Sequence, residues 1–476
     1  MKFSMVNLFT QVFFKEMNRV MKTASFADTI FALATPPGRS ALAVIRVSGE
    51  TALAVPAAFG AAPITPRQAH RRWLKDAAGG LLDDVMLIGF AGPASATGED
   101  VLEIHTHGSP AVVEDILHHL AAQPGCRPAE AGEFTRRALD NGKTDITAAE
   151  GLVDLIAAET SLQRRQATAQ MAGSLRRPVE AWRQDIISCL SLLEASIDFA
   201  DEELPDTLQT QIQDRIQAIF KEMTAGLAAS RRGEIVRSGL SVVLAGPVNA
   251  GKSTTLNALA RRPAAIVSDR PGTTRDSVEV SLDISGVPVV LTDTAGWRQT
   301  DDPVEGEGIN RARQAASQAD LLLIVVDGSQ PGWADQVLTI SGWSQADVFV
   351  LVNKQDKGMQ DEQKLLVSAD ILAGNVIAIS AQDGTGLDQL EDRLDQFVTD
   401  LNSDQSSVML TRVRHRQALS EASHHLQASL TLSVADQTEL VAEEFRSATV
   451  ALSRILGQID IEDVLDHIFS SFCIGK

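Results

Sequence analysis

The sequence predicts a multidomain α/β chain. An N-terminal α+β domain comes first, and a helical domain follows in two separate blocks. A phosphate-binding α/β domain with a mostly parallel sheet is inserted between those blocks. Three observations carry this reading. Gly246-Pro247-Val248-Asn249-Ala250-Gly251-Lys252-Ser253 follows the apolar run Leu240 to Leu244 and opens a helical pattern. Strand-like runs alternate with helical ones from Leu240 to about Phe397. Helical periodicity fills Thr144 to about Ser238 and returns after Gln405.

At 476 residues the chain exceeds a single core, and length alone suggests roughly three domains. The 62 acidic and 42 basic residues leave a net charge of −20, which argues against a protein that holds nucleic acid by bulk electrostatics. No apolar run approaches the roughly 20 residues of a membrane helix. Cys126, Cys189 and Cys473 are far apart and show no metal-ligand spacing, so the expected compartment is reducing and cytoplasmic. Residues 1–24 form a leader without the apolar core and cleavage site of a secretory signal, and Met21 is an alternative start.

The N-terminal domain is expected over residues 25–141. Ala41 to Ser48 and Asp84 to Gly89 are short β-rich runs, and Val112 to Leu120 reads as a helix. From Gly98 to Gly108, period-2 alternation sets Glu103, His105 and His107 on one face and Leu102 and Ile104 on the other. The helical domain is expected over residues 142–238 and 399–476. Its core stripes are Trp182, Ile186, Leu190, Leu193, Ile197, then Ile212, Ile216, Ile219, Met223, Leu227, and finally Val441, Phe445, Ala448, Leu452, Ile455. Pro178 and Pro205 mark helix breaks. The inserted domain is expected over residues 239–398, with strands at 240–245, 278–284, 287–292, 321–326, 347–352 and 376–379. Ser285-Gly286 makes a hairpin of the second and third.

In the Gly-rich loop, backbone N–H groups from Asn249 to Thr254 converge on an anion, and the helix N-terminus adds its dipole. Lys252 is expected to reach the β/γ-phosphates and Ser253 to hold a Mg²⁺ that bridges them. Asn353-Lys354-Gln355-Asp356 names the nucleotide as GTP. Asp356 can accept from guanine N1–H and the exocyclic amine, a donor pair adenine lacks, and Ser380-Ala381 offers a backbone N–H to O6. Asp293-Thr294-Ala295-Gly296 ends a strand, with Asp293 behind Mg²⁺ and the Gly296 N–H on the γ-phosphate. Thr274, within Gly272-Thr273-Thr274-Arg275-Asp276, is expected to close over Mg²⁺ and the γ-phosphate. Together these motifs describe a Ras-like P-loop GTPase domain. Where Ras-like enzymes carry a water-orienting Gln, this chain has Trp297, so the job passes to Glu305 or Glu307 in the loop that follows. No arginine finger is evident in the chain. Its positive charge must come from a partner or a bound monovalent cation.

The sequence resembles the family of tRNA modification GTPases called MnmE or TrmE, from about Asp28 to the last residue. The specific pieces are Thr35-Pro36-Pro37-Gly38-Arg39, Gly132-Glu133-Phe134-Thr135-Arg136-Arg137-Ala138, Ile197-Asp198-Phe199 and Phe472-Cys473-Ile474-Gly475-Lys476. The resemblance implies a homodimeric GTPase in which K⁺ replaces an arginine finger. Asn249 matches the potassium ligand, with Ser268, Arg270 and Thr273 completing the site, and Asp269, Pro271 and Gly272 lie in the same nucleotide-side loop. Glu305 then falls on the water-orienting glutamate. The N-terminal domain would bind a tetrahydrofolate derivative (5-formyl- or methylene-tetrahydrofolate) through Arg46, Glu103 and Lys143, with Lys476 joining from the C-terminus.

Cys473 has three readings: an inert apolar filler, a poorly fitting prenylation site, or a thiol activated by nearby cations such as Lys476. The resemblance favours the third, which makes Cys473 catalytic alongside Glu305 and Lys252. It also implies an FAD-dependent partner, MnmG (GidA), in a heterotetramer or larger assembly, with FAD on the partner only. The pair would add an aminomethyl or carboxymethylaminomethyl group to C5 of the tRNA wobble uridine, with no membrane involved. Arg412, Arg414, His415 and Arg416 form a basic cluster read here as a solvated helix start rather than an RNA contact. Two departures from the family pattern are Trp297, in place of an aliphatic residue, and His107-Gly108-Ser109, in place of a more Gly-rich turn. The rival reading is a regulatory RNA- or ribosome-binding GTPase without modification chemistry.

Overall fold

The computed structural model describes residues 28–198, 206–266, 279–293, 303–358, 360, 373–401, 410–459, 465 and 475. The leader, residues 267–278 and 294–302, and most of the C-terminal tail lie outside the described residues. The chain divides into two compact units: residues 1–153 with 453–476, and residues 154–452.

The first unit is built on a six-stranded sheet: β1 (Thr29–Leu33), β2 (Ser40–Ser48), β3 (Ala69–Lys75), β4 (Leu81–Phe90), β5 (Val101–Gly108) and β6 (Cys126–Pro128), in the order β3-β4-β5-β2-β1-β6. All pairs are antiparallel except β1 with β6. Alternation along β5 works as expected: Leu102 and Ile104 are buried, while Glu103, His105 and His107 face outward. Ile45, Val47, Leu87, Leu102 and Ile104 form one core with Ile116 and Leu120 of α2 (Pro110–Ala121) and with Val55 of the short α1 (Val55–Ala58). On the opposite face, α3 (Glu133–Asp140) sets Phe134 against Ile30 and Ala32. Helix α4 (Ile146–Ala157) begins in this unit, and Ile146 packs with Leu465. Strands β1, β3 and β6 had no counterpart in the sequence reading. In β3 (AHRRWLK) only Leu74 is fully buried, so its charges hide the strand.

In the second unit, seven strands lie in the order β13-β12-β11-β7-β10-β9-β8. They are β7 (Leu240–Ala245), β8 (Ala265–Ile266), β9 (Glu279–Ile284), β10 (Val287–Asp293), β11 (Leu321–Asp327), β12 (Asp347–Asn353) and β13 (Val376–Ala378). Pairing is parallel apart from β8·β9 and β9·β10. Strand β11 has six consecutive fully buried residues, the signature of a parallel strand covered on both faces. One face packs α9 (Lys252–Leu259) and α12 (Leu387–Leu401). The other packs α10 (Pro303–Gln318) and α11 (Trp333–Ser341). At the hairpin, Ser285 and Gly286 both have positive φ (51° and 83°), the requirement of a two-residue type I′ turn.

The remaining helices are α5 (Ser161–Met171), α6 (Arg176–Asp198), α7 (Asp206–Ala228), α8 (Ser230–Ser238), α13 (Val413–Leu430) and α14 (Thr438–Ile455), of which α8 joins the sheet's core through Ile235 and Val236. The α6 stripe is Val179, Trp182, Ile186, Cys189 and Leu193. Cys189 takes the place expected of Leu190, which is half-buried, as is Ile197. The break expected at Pro178 falls at 172–175, and Pro178 itself sits in the first turn of α6, where its missing N–H is harmless. Trp182 Nε1 donates to Glu222 on α7 (2.7 Å), and the α14 stripe is buried as expected.

Candidate nucleotide site and the folate-side cluster

The phosphate loop joins β7 to α9, and its shape depends on two glycines. Gly246 (φ 155°) lies so close to β11 that a Cβ there would fall 2.1 Å from the Val325 carbonyl oxygen. Gly251 (φ 101°) leaves the same 2.1 Å to Asn353 Nδ2. Asn249 also has positive φ (65°), which Asn tolerates better than most residues. Lys252 is 6% exposed, and its ammonium donates to the carbonyls of Gly246 (2.9 Å) and Pro247 (3.1 Å). Burial pushes this lysine below its usual range, while the Asp293 carboxylate pulls the other way.

Strand β10 delivers Asp293 to this loop, where Ser253 Oγ donates to Asp293 Oδ2 (2.5 Å). The other carboxylate oxygen, Oδ1, is buried without a hydrogen-bond partner among the described residues. A hydroxyl beside a carboxylate with an unmet oxygen is a donor set that suits a hard divalent cation such as Mg²⁺.

The base side is assembled from three loops by one side chain. Asn353, 3% exposed, donates from Nδ2 to Ala250 O (2.8 Å) and accepts at Oδ1 from Ala381 N (3.0 Å). It therefore ties the phosphate loop, the Asn353–Asp356 turn and the Ser380–Ala381 turn together. Asp356 is exposed, and its Oδ1 accepts from Ser380 Oγ (3.1 Å). The amides expected to meet a guanine O6 are engaged inside the protein. Ser380 N donates to Thr385 O (2.9 Å), and Ala381 N is held by Asn353. A base that bonds the Ala381 amide shares it with Asn353 or takes it from Asn353. The sequence reading missed Asp327, which holds Lys354 (2.7 Å). The signal available was a carboxylate ending a fully apolar strand immediately before the guanine loop's own strand.

Ser268, Asp269, Arg270, Pro271, Gly272, Thr273, Thr274, Thr294, Ala295, Gly296, Cys473 and Lys476 lie outside the described residues. Glu305 falls in the first turn of α10, and its side chain is likewise outside them.

In the first unit, strand register brings Arg46 opposite Glu103, and the two form an ion pair (3.0 Å). His105 Nε2 approaches the other Glu103 oxygen (3.3 Å), and the Arg46 guanidinium lies over the Phe134 ring. Lys143 is exposed. Gly475 reaches the end of β1, where a Cβ would stand 2.3 Å from Leu33 O. Leu33 follows Ala32, the residue that β1 pairs with Arg46. Gly475 thus lies against the strand that pairs with that of Arg46.

The Arg412–Arg416 cluster corrects the sequence reading. It is a helix start, with Arg412 at the N-cap and Arg416 exposed, but it is not solvated throughout. Arg412 donates to Asp154 (2.9 Å), His415 is fully buried, and Arg416 donates to Glu234 (3.0 Å). Arg412 and His415 tie α13 to its neighbours, while Arg416 makes its ion pair from an exposed position.

The family model described as "MnmE helical domain" matches residues 146–473, and "GTP-binding protein TrmE N-terminus" matches residues 29–143. The chain is 45% identical over 453 residues to the tRNA modification GTPase MnmE of Bradyrhizobium sp., covering 94% of this chain and 99% of that protein. It is 44% identical over 450 residues to the protein of the same name from Maricaulis maris, with the same coverage. Against that of Caulobacter vibrioides it is 45% identical over 455 residues, covering 94% of this chain and all of the relative. Among the described residues no helix is long and apolar enough to cross a membrane. The chain belongs to the MnmE (TrmE) family of tRNA modification GTPases.

Proposed function

We propose that the protein is a potassium-stimulated, homodimeric GTPase. With an FAD-dependent partner, it adds an aminomethyl or carboxymethylaminomethyl group to C5 of the tRNA wobble uridine, using a folate one-carbon donor. The observation that carries the GTPase half is the single bracing residue, Asn353, which holds phosphate loop and base loops at one edge of the sheet. Lys252 would exchange its two loop carbonyls for β/γ-phosphate oxygens. Burial lowers its pKa, and phosphate oxygens would offset that penalty. Mg²⁺ would be held by Ser253 and Thr274 with Asp293 behind, and K⁺ by Asn249, Ser268, Arg270 and Thr273. Both would neutralise charge on the transferring phosphoryl group. Glu305 would orient the attacking water.

On the folate side, Arg46 and Glu103 neutralise each other in the described conformation. A folate would part them, Arg46 turning to a carboxylate and Glu103 to pterin N–H groups. Gly475 against β1 supports a tail that brings Cys473 and Lys476 to that site.

The test is GTP hydrolysis in K⁺ against Na⁺ buffer, with Glu305→Ala and Cys473→Ser alongside. The expected result is strong K⁺ stimulation that is lost in Glu305→Ala. Cys473→Ser should abolish wobble modification while hydrolysis continues. Equal rates in both salts would overturn the cation mechanism. A silent Cys473→Ser would favour a regulatory RNA- or ribosome-binding GTPase.

A further inference from the structure

Asp327 ends β11 directly opposite Asn353 in the parallel register of β12. Its two carboxylate oxygens have different work. Oδ1 accepts from the amide (3.1 Å) and hydroxyl (2.6 Å) of Ser329, which closes the turn that follows β11. Oδ2 accepts from Lys354 Nζ (2.7 Å). Partial burial works against its charge, yet the bonds from Lys354 and Ser329 hold the carboxyl below the ordinary carboxylate range. Lys354 adopts a left-handed backbone (φ 65°, ψ 34°), a conformation unfavourable to a residue with a Cβ. The surroundings reinforce it. Gly328 N donates to Asn353 O (2.9 Å), Gln360 N to Gly328 O (2.9 Å), and the fully buried Trp333 donates from Nε1 to Gln360 O (3.1 Å). An ordinary surface lysine pays rotamer entropy to take any one pose. Here both ends of the side chain are fixed, the backbone by the strand pair and the ammonium by the carboxylate.

We propose that Asp327 is a positioning residue for guanine nucleotides: it pins the Lys354 ammonium so that the four-carbon stem forms a preset wall against one face of the base. The inference rests on the reading of Asn353–Asp356 as the guanine loop. It makes a distinction that a general structural role does not. A wall against the ring face is indifferent to the exocyclic amine, whereas Asp356 reads that amine at the ring edge.

Asp327→Asn in the full chain separates the two duties, because its Oδ1 still serves Ser329 while the carboxylate charge that holds the Lys354 ammonium is lost. The Kd for GDP should rise about tenfold, the size of one charge-assisted hydrogen bond. The Kd for IDP, which lacks the exocyclic amine, should rise by the same factor. The KM for GTP should follow, with kcat falling far less. Asp327→Glu should recover most of the affinity. Lys354→Met, which keeps the stem and loses the ammonium, should match Asp327→Asn, and the double variant should be no worse than either. Wild-type GDP affinity in Asp327→Asn would overturn the proposal, as would a double variant whose loss is the product of the two single losses. If Lys354→Met itself binds GDP like wild type, the guanine-loop reading falls with it. If Lys354→Met weakens binding and Asp327→Asn does not, only the positioning role falls.

Discussion

Asn353→Ala is the sharpest perturbation of the nucleotide site. It removes no phosphate ligand, yet it leaves two buried partners unmet: the Ala381 amide, in a residue 6% exposed, and the Ala250 carbonyl, in a residue 1% exposed. An orphaned buried polar group costs about 1–3 kcal/mol, so the pair amounts to about 2–6 kcal/mol. Against a domain stability of about 5–15 kcal/mol, that is a large share. The chain has several domains, and a single melting midpoint would blend them. The suitable assay is therefore hydrogen exchange at the 381 amide, which loses its acceptor, and at the 250 amide, which Pro247 O holds within the loop that loses its brace, read beside GDP affinity. Exchange should accelerate at both sites, and GDP affinity should fall because two loops lose their common brace. Asn353→Asp keeps the bond from Ala381 and should show about half the effect, with exchange at 381 closer to wild type. Wild-type protection at both amides together with unchanged GDP affinity would refute the idea that one side chain sets the spacing of the three loops.

Two further outcomes follow from the first unit. Glu133 accepts from Arg127, Arg137 and the Glu130 amide; burial opposes its charge, but these bonds hold its carboxyl below the ordinary value of 4.5. Its stabilisation is complete above that value and is lost as pH falls through the folded one. Glu133→Gln should therefore lower the urea midpoint at neutral pH and flatten the acid limb of the stability profile. At Gly475 (φ 108°) a methyl group meets the Leu33 carbonyl at 2.3 Å. Gly475→Ala should weaken 5-formyl-tetrahydrofolate binding on the order of tenfold while GTP turnover stays unchanged, measured by equilibrium dialysis beside phosphate release.

Legibility followed burial. Strands β7, β11 and β12 could be read because parallel strands covered on both faces are written as apolar runs, and the hairpin because Ser-Gly permits two positive φ values. Strand β3 could not, since its outward residues include Arg71 and Trp73 and its alternation yields a single buried leucine. Spacing named the phosphate and guanine loops, but not that Asn353 spends its whole amide on protein. Pairings across long sequence separations escaped for the same reason. Arg46 meets Glu103 only through strand register, and Arg412 meets Asp154 only through tertiary packing. A local count of positive charges between 412 and 416 describes composition, and the partners that cancel those charges lie elsewhere in the chain.

The insertion of the GTPase domain was expected to leave it joined to the helical body through its two chain connections. The second unit shows a further attachment at the hairpin. Thr160 caps α5 in a reciprocal box with Gln163, and the same hydroxyl donates to Gly286 O at the tip of the β9–β10 hairpin (2.6 Å). Gly286 has no room to spare: a Cβ there would lie 3.1 Å from Leu162 Cβ. From this turn β10 runs straight to Asp293, the carboxylate that receives Ser253. Seven residues at about 3.3 Å each make a rod of about 23 Å. It is hydrogen-bonded to β7 on one side and β9 on the other, so it cannot stretch or compress cheaply. One end of that rod belongs to the phosphate site and the other is seated on the helices. The geometry of Asp293 and the seating of α5 are therefore a single mechanical condition, which the two chain connections alone would not impose.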